Sequence, residues 1–419
     1  MRYVAITYLG LVAALGGGTV SLSALPIDFE LYTDLRLTYA KGEPSWFDDY
    51  LGKARYGGNH YGDANLKLRL PEVSVLATAD ISWDTKAFVH VKYDPEQNKP
   101  IDLVEAYLTY TPVPKSAFSY AFKAGLYFPH ISRENIGVAW TSPFTITPSA
   151  INSWVGEEIR ALGLEAKGSY ISNQHRFDIT AGMFGFNDAA GTLLAFRGWG
   201  LGDAKVGAFS RLPLSSLPSI GSESSFLAQP LWVHPIREID GRVGYYAALD
   251  YSFSDVFKTG AFYYDNRGDP EKIVELQYSW DTRFWNFYAE SDFGDGLKLI
   301  AQYMTGMTEM GNLYGAKQRR RVYVGYDAGY VLATKKIDKY RLSARYDWFG
   351  VDDKSFVALD NNNENGTAFT AAIAVKVSKK TSLITEYLRI KSDRPSRLGI
   401  GFAEGQTNDI FQLSWRQRF

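Results

Sequence analysis

The sequence predicts an all-β fold: a sixteen-stranded antiparallel transmembrane β-barrel, with short periplasmic turns at one end and long extracellular loops at the other. Three observations predict it. Segments of roughly ten residues alternate apolar and polar side chains along most of the chain, and such alternation collects the apolar set on one face of a strand. Aromatic residues reach 15%, with 28 Tyr, 25 Phe and 10 Trp, yet mean hydropathy is only −0.21. Spanning strands combine these two properties because every second residue faces water. Finally, the connections between segments alternate between brief and long.

Composition excludes other classes. Beyond the N-terminus no segment approaches the roughly 18 unbroken apolar residues of a spanning helix. Lys and Arg total 45 against 46 Asp and Glu, a formal net charge of −1, which excludes a globally basic nucleic-acid binder. The chain has no cysteine, so disulfides, thiolate metal sites, cysteine nucleophiles and a lipid-bearing cysteine are excluded. Arg2, an apolar run over residues 3–20 and the small residues Ser21-Leu22-Ser23-Ala24 read as a secretory signal peptide cut after Ser23 or Ala24. Gly16-Gly17-Gly18 weakens the run as a permanent membrane helix. The expected organisation is a leader over 1–23 and one outer-membrane barrel over 24–419.

The strands follow in order. Residues 28–40 put Phe29, Leu31, Leu35, Leu37 and Tyr39 outward. Residues 64–83 do the same with Leu66, Leu68 and Leu70, then continue through Val73, Val75, Ala77 and Ala79 with the phase shifted by one. Pro71 sits at the slip, where a bulge takes up the extra residue. Strand three carries Val89 and Val91, strand four Val104, Ala106 and Leu108, strand five Phe118 to Phe128. Strands six and seven fall at 158–167 and around Phe177 to Met183, eight and nine at 242–253 and 256–265. Residues 267–282 read as a loop or a strand extension. Strands ten and eleven (283–293, 297–306) turn at Gly294-Asp295-Gly296. Strand twelve is expected to show Val322, Val324, Tyr326, Ala328, Tyr330 and Leu332 to lipid. Strands thirteen to fifteen centre on Leu342, Ile373 and residues 382–392, the last having no wholly apolar face. The closing strand, 407–419, has Phe411, Leu413, Trp415 and Phe419 outward, with Gln412, Ser414, Arg416 and Arg418 inward. An aromatic-ended strand of this kind resembles the signal read by barrel-assembly machinery in Gram-negative outer-membrane proteins, with Gln417 interrupting the apolar face. Two SWDT repeats, at 82–85 and 279–282, fall at opposite ends by strand parity and do not mark a duplication.

The opposite face supplies the lumen. Arg36, Lys67, Arg69, Lys92, Lys123, Arg176, Arg321, Arg341 and Arg345 are expected to line it, with Arg133 and Glu134 from a loop; Arg389 and Lys391 are assigned inward less cleanly. Inward bases outnumber inward acids, which favours small anions in a polar channel. Pairing of these charges across neighbouring strands is the alternative. Arg319-Arg320-Arg321 can attract anionic solutes or bind the phosphates of outer-leaflet lipopolysaccharide. A sixteen-strand barrel is wide enough for an aqueous channel unless a loop narrows it. Residues 129–157, with Arg133, Glu134, Asn135, Trp140 and Trp154, and residues 187–241 compete for that role; an external rim cover remains open for the former.

Strand number, export and the stretch GLYFPHISRENI (125–136) before a long loop resemble the Gram-negative general and phosphate-selective porin families. The resemblance implies passive diffusion of small hydrophilic solutes across the outer membrane, a basic pore lining and a homotrimer, with no cofactor. A sugar-selective channel using Trp140 and Trp154, and a filled barrel acting as an adhesin or structural protein, are the alternatives. Enzymatic readings have little to stand on. The five histidines occur without HExxH or GxSxG; His90, on an inward face near strands two and four, is the one worth naming, and plain wall is its commoner role. Gly198-Trp199-Gly200-Leu201-Gly202 does not fit a dinucleotide loop, and DNNNENG (360–366) lacks the turn glycine and distal Glu of a calcium loop.

Overall fold

The computed structural model describes residues 26–220, 229–315, 319–355 and 361–419. The expected leader lies outside them. Sixteen strands pair in chain order and close into one antiparallel barrel. They are β1 (Ile27–Lys41), β2 (Asn65–Asp80), β3 (Thr85–Tyr93), β4 (Ile101–Tyr110), β5 (Phe118–Tyr127), β6 (Ala161–Ser172), β7 (His175–Gly185) and β8 (Gly244–Phe253). The ring continues through β9 (Phe257–Asp265), β10 (Asp281–Asp292), β11 (Leu297–Tyr314), β12 (Arg319–Ile337), β13 (Tyr340–Asp353), β14 (Glu364–Lys376), β15 (Thr381–Asp393) and β16 (Gly405–Arg418). β1 closes it against β16, with Leu37 opposite Leu413 and Tyr39 opposite Phe411.

Alternation makes the two faces. Along β1 the apolar Leu35, Leu37 and Tyr39 are exposed, while Asp34, Arg36 and Thr38 between them are buried. Leu413 and Trp415 of β16, Leu249 of β8, Phe287 of β10 and Ile373 of β14 carry the exposed apolar face around the ring. A water-soluble sheet has no use for such a band; a membrane-spanning one requires it. The bulge expected at Pro71 is present: Asp34 pairs with Glu72 and Arg36 with Arg69, so Leu35 faces both Leu70 and Pro71.

Residues 173–174 and 338–339 are among the tight turns at one end, and 42–64, 128–160 and 186–243 among the long connections at the other. β11 and β12 run beyond the expected spans. β6 starts later than expected because the preceding residues form helix α1 (Ala150–Glu158), capped by Ser149 Oγ accepting from the Asn152 amide at 3.3 Å. A second helix, α2 (Thr192–Phe196), lies in the longest connection. Residues 267–282 contain a two-residue ladder (Ile273–Val274 with Gln277–Tyr278) and then the start of β10.

The core lies inside the ring. Trp46, Trp154, Trp199 and Trp280, each from a connecting segment, are essentially inaccessible. Trp154 of α1 meets Phe284 and Tyr326 edge-on, at centroid distances of 5.4 and 5.5 Å. That contact explains the main departure from the sequence reading. In β12 the apolar set Val322, Val324, Tyr326, Ala328, Tyr330 and Leu332 points inward, not to lipid, because the helices need an apolar wall; Val331, on the other face, is 46% exposed. Arg321 therefore faces away from the lumen, as does Asp327. In β15 likewise Ile384, Leu388 and Ile390 are buried, and Arg389 and Lys391 face outward, Arg389 lying 3.6 Å from Asp409. Val104 is buried too, at a bulge where His90 pairs with Glu105 and Val91 with Leu103.

The lipid assignment is testable at Leu249, opposite Ile179 and Ala261 in mid-barrel. Leu249→Arg should lower the unfolding free energy by about 2–4 kcal/mol, measured by denaturant unfolding from lipid vesicles. A change below about 0.5 kcal/mol would place this face in water.

Candidate functional site

Connections 42–64 and 128–160 and the described residues of 186–243 fold back into the barrel, so both long loops in competition for the lumen send chain into it. Charged side chains fasten them to the wall. Arg36 of β1 reaches Asp34 and Asp203 at 2.6 Å each and Gln412 of β16 at 3.2 Å. Arg55 binds Asp94 at 3.0 Å, Asp203 at 3.1 Å and Glu96 at 3.2 Å. Burial alone would raise the Asp203 carboxyl, yet Arg36 and Arg55 hold it well below its usual range. Between these groups, Thr147 and Gln412 lies a cavity of about 10 Å³, room for about one water.

Residues 128–160 are held beside this network, which Gln412 joins to them through Thr147 at 3.0 Å and Glu386 at 3.1 Å. Fully buried Arg345 pairs with Glu134 at 3.1 Å and Asp347 at 2.8 Å, and donates to the carbonyls of Thr147 and Pro148. Glu134 in turn accepts from the Ser149 amide at 2.5 Å and Asn152 Nδ2 at 2.8 Å. Glu386 of β15 takes the amides of Ile146 and Thr147. Arg133 pairs with Asp250 at 2.9 Å and stacks 3.4 Å from the centre of the Tyr288 ring. Elsewhere Lys53 meets Glu364 at 2.6 Å, Lys205 meets Glu72 at 2.5 Å and Arg397 meets Glu43 at 3.0 Å. Gly198, at φ +82°, lets residues 197–199 press against Glu364, where a Cβ would stand 1.6 Å from Oε2.

The remaining nominated bases are mostly paired. Lys92 sits 3.2 Å from Asp94, Arg69 2.8 Å from Glu96, Lys123 3.1 Å from Glu165 and Arg176 2.9 Å from Asp178. Lys67 is exposed near the loop end. Arg341 lines a cavity of about 350 Å³ at the turn end. Two further cavities, about 430 and 580 Å³, open at the same end; the former is faced by Phe88, Tyr107, Phe128 and Trp140 with Glu30 and Glu105. Sequence reasoning did not nominate Arg55, Lys53, Asp203 or Lys205. The available signal was charge inside Gly-rich or aromatic tracts, since a loop destined for solvent has no need to combine them.

Two clusters resemble chemistry without supporting it. His90 Nε2 lies 2.9 Å from Ser74 Oγ, but that hydroxyl donates to Glu72 at 2.5 Å, His90 Nδ1 has no partner, and all three side chains are buried. A hydrolytic triad needs the carboxylate on the far ring nitrogen and an accessible nucleophile. Asp188, Glu238 and Asp240 bring carboxylate oxygens within 4.8 Å of one another. Asp188 accepts the Ile239 and Asp240 amides, and Glu238 accepts those of Phe186 and Gly241, so the group clasps the two ends of the 186–243 connection. Burial, with Asp240 and Glu238 alongside, pushes the Asp188 carboxyl up to about 7.

No protein-family model matches the sequence, and no curated protein matches it. Solved structures do. The outer-membrane channel DcaP of Acinetobacter baumannii is 11% identical and superposes with a TM-score of 0.54 over 96% of this chain and 99% of that one. The anion-selective porin from Comamonas acidovorans is 11% identical, with a TM-score of 0.53 over 94% and 99%. A loop-deletion mutant of OmpT, an outer membrane protein of Vibrio cholerae, is 12% identical, with a TM-score of 0.52 over 95% and 100%. At these identities the likeness shows the barrel fold.

Two outcomes follow from this geometry. Arg345→Met leaves Glu134 and Asp347 buried without their cation and should cost about 3–5 kcal/mol in denaturant unfolding; a loss under about 1 kcal/mol would mean the pair is hydrated. Asp188 is protonated in the folded state over a range where the unfolded chain is ionised. Its contribution is full below about 3.8 and is lost as pH rises to about 7. Proteolysis within 186–243 should therefore be faster at about pH 8.5 than at about pH 5, with Asp188→Asn showing a flatter profile. Equal pH dependence in both proteins would show that Asp188 does not titrate there.

Proposed function

We propose that this chain is an outer-membrane channel that lets small hydrophilic solutes pass down their gradients, with its short turns in the periplasm and the three in-folded segments forming its constriction. One observation carries the reading: across a whole sector of the wall, from β13 through β16 to β4, the in-folded segments are held by ion pairs and hydrogen bonds. Apolar side chains of similar volume would fill a permanently solid barrel at no loss of stability, because desolvating a charge pair offsets most of its attraction. A lumen that must hold water does need such a lining. The fold shared with an anion-selective porin and the DcaP channel supports the same reading. In the closed arrangement the cavity at Arg36 and Asp203 holds about one water. Solute flux past Arg36 and Asp203 requires the segments there to shift.

A filled barrel acting as an adhesin or structural protein is the second reading, favoured by the apolar contact of Trp154 and Trp199 with Tyr326. The sugar-channel alternative loses Trp154, which is buried, and Trp140 already stacks on Phe128 at 4.0 Å. The homotrimer implied by the porin resemblance belongs to the channel proposal, and native mass spectrometry in detergent reads it directly.

Planar-bilayer recording decides between the readings. The intact chain should give brief, small steps, and a variant shortened within 187–241 larger and longer ones. Silence from both, with insertion verified, would leave the filled barrel.

A further inference from the structure

The paired charges at mid-barrel contrast with the cavity of about 350 Å³ at the turn end. Lys336, Lys339, Arg341, Lys376, Lys379 and Lys380 line it, and Asp338 is the one carboxylate among its lining residues. Among the described residues none of these six cations forms a salt bridge. Arg341 donates to Thr334 Oγ1 at 3.2 Å and lies 5.2 Å from the centre of the Phe144 ring. Two further bases, Arg416 and Arg418, complete the lining, each 3.5–3.6 Å from a single carboxylate. At the buried inner wall the Tyr32 hydroxyl has no hydrogen-bond partner, while Arg416 Nε lies 3.6 Å from Asp34. An unsatisfied buried donor is costly, and so is a cluster of like charges. One bound group relieves both.

We infer that this cavity is a binding site for a small polyvalent anion, of the phosphate or polycarboxylate kind, which the turn end captures before passage. Its place in transport rests on the channel reading. A monovalent anion leaves most of the cluster uncompensated, whereas two or three charges on one small molecule meet several lysines at once. A free solute is favoured over a lipid headgroup because Arg341, Ser382 and Arg416 reach the cavity from the inward face of the wall and residues 137–143 cover it from within the lumen.

Calorimetric titration of the full chain in zwitterionic detergent tests the site without requiring flux. Inorganic pyrophosphate is the first probe and citrate the second. Saturable binding that weakens with salt is expected for at least one. The triple variant K376Q/K379Q/K380Q, altered at exposed positions at or beside a turn, should bind at least about tenfold more weakly, its barrel checked by circular dichroism. Asp338→Asn, in a left-handed turn position that Asn tolerates, should bind more tightly. No saturable heat from either probe, or affinity unchanged in the triple variant, overturns the site. Phospholipid vesicles that abolish pyrophosphate binding by competition assign the site to headgroups and overturn the solute reading. Binding present with a silent bilayer rejects the channel and keeps the site; conductance without binding does the reverse.

Discussion

Closure of the sheet between β1 and β16 is the constraint on which the rest depends. In hydrocarbon an unpaired backbone amide or carbonyl costs several kcal/mol, so the strand at each edge must find the other. Pairing of Tyr32–Lys41 with Asp409–Arg418 removes both edges. With the ring closed, the period of two assigns every second side chain to lipid or lumen. Sixteen strands enclose more space than those inward side chains fill. Either water or more polypeptide must occupy the rest, and here polypeptide enters from the loop end.

Entering chain brings amides and charges that have left water, and each needs a partner. The wall is divided accordingly. Around β10 to β12 it is apolar, and Phe284 and Tyr326 receive Trp154 and Trp199. Around β13 to β16 and β1 to β4 it is ionic: Arg345, Glu386, Arg36 and Glu72 receive backbone amides, carbonyls and opposite charges. The apolar sector supplies most of the attraction that keeps the segments in place. The ionic sector fixes where they sit, because a displaced charge would be left without its partner.

Most of the fold was legible because its signals are local. Alternation, the Pro71 bulge and the brevity of turns such as 173–174 are read from neighbouring residues. The lumen was less legible because its partners are far apart in sequence. Nothing beside Arg36 announces Asp203, and nothing beside Arg345 announces Glu134. The same distance explains the reversed face of β12. Alternation shows that Val322 to Leu332 and Arg321 to Val331 lie on opposite faces, but which face meets lipid depended on Trp154 and Trp199 lying within the ring. Arg321 was misplaced on that account, and Arg389 and Lys391 because the inward face of β15 carries Ile384, Leu388 and Ile390.

A count of inward bases also overstates any preference for anions, for a physical reason. A base 3 Å from a carboxylate presents a dipole, whose field decays within a few ångströms in a hydrated pore, whereas an uncompensated cation presents a monopole that acts over about a Debye length, near 8 Å at physiological salt. Arg36, Lys92, Lys123, Arg176 and Arg345 are of the first kind. Lys336, Lys376, Lys379 and Lys380 are of the second, and they converge on one cavity, where their fields add. In the channel proposed above, charge discrimination belongs to the turn end, while the neutralised middle discriminates by size and by the readiness of its ion pairs to take up water. The division separates selection from closure, and each can vary without disturbing the ring that holds them both.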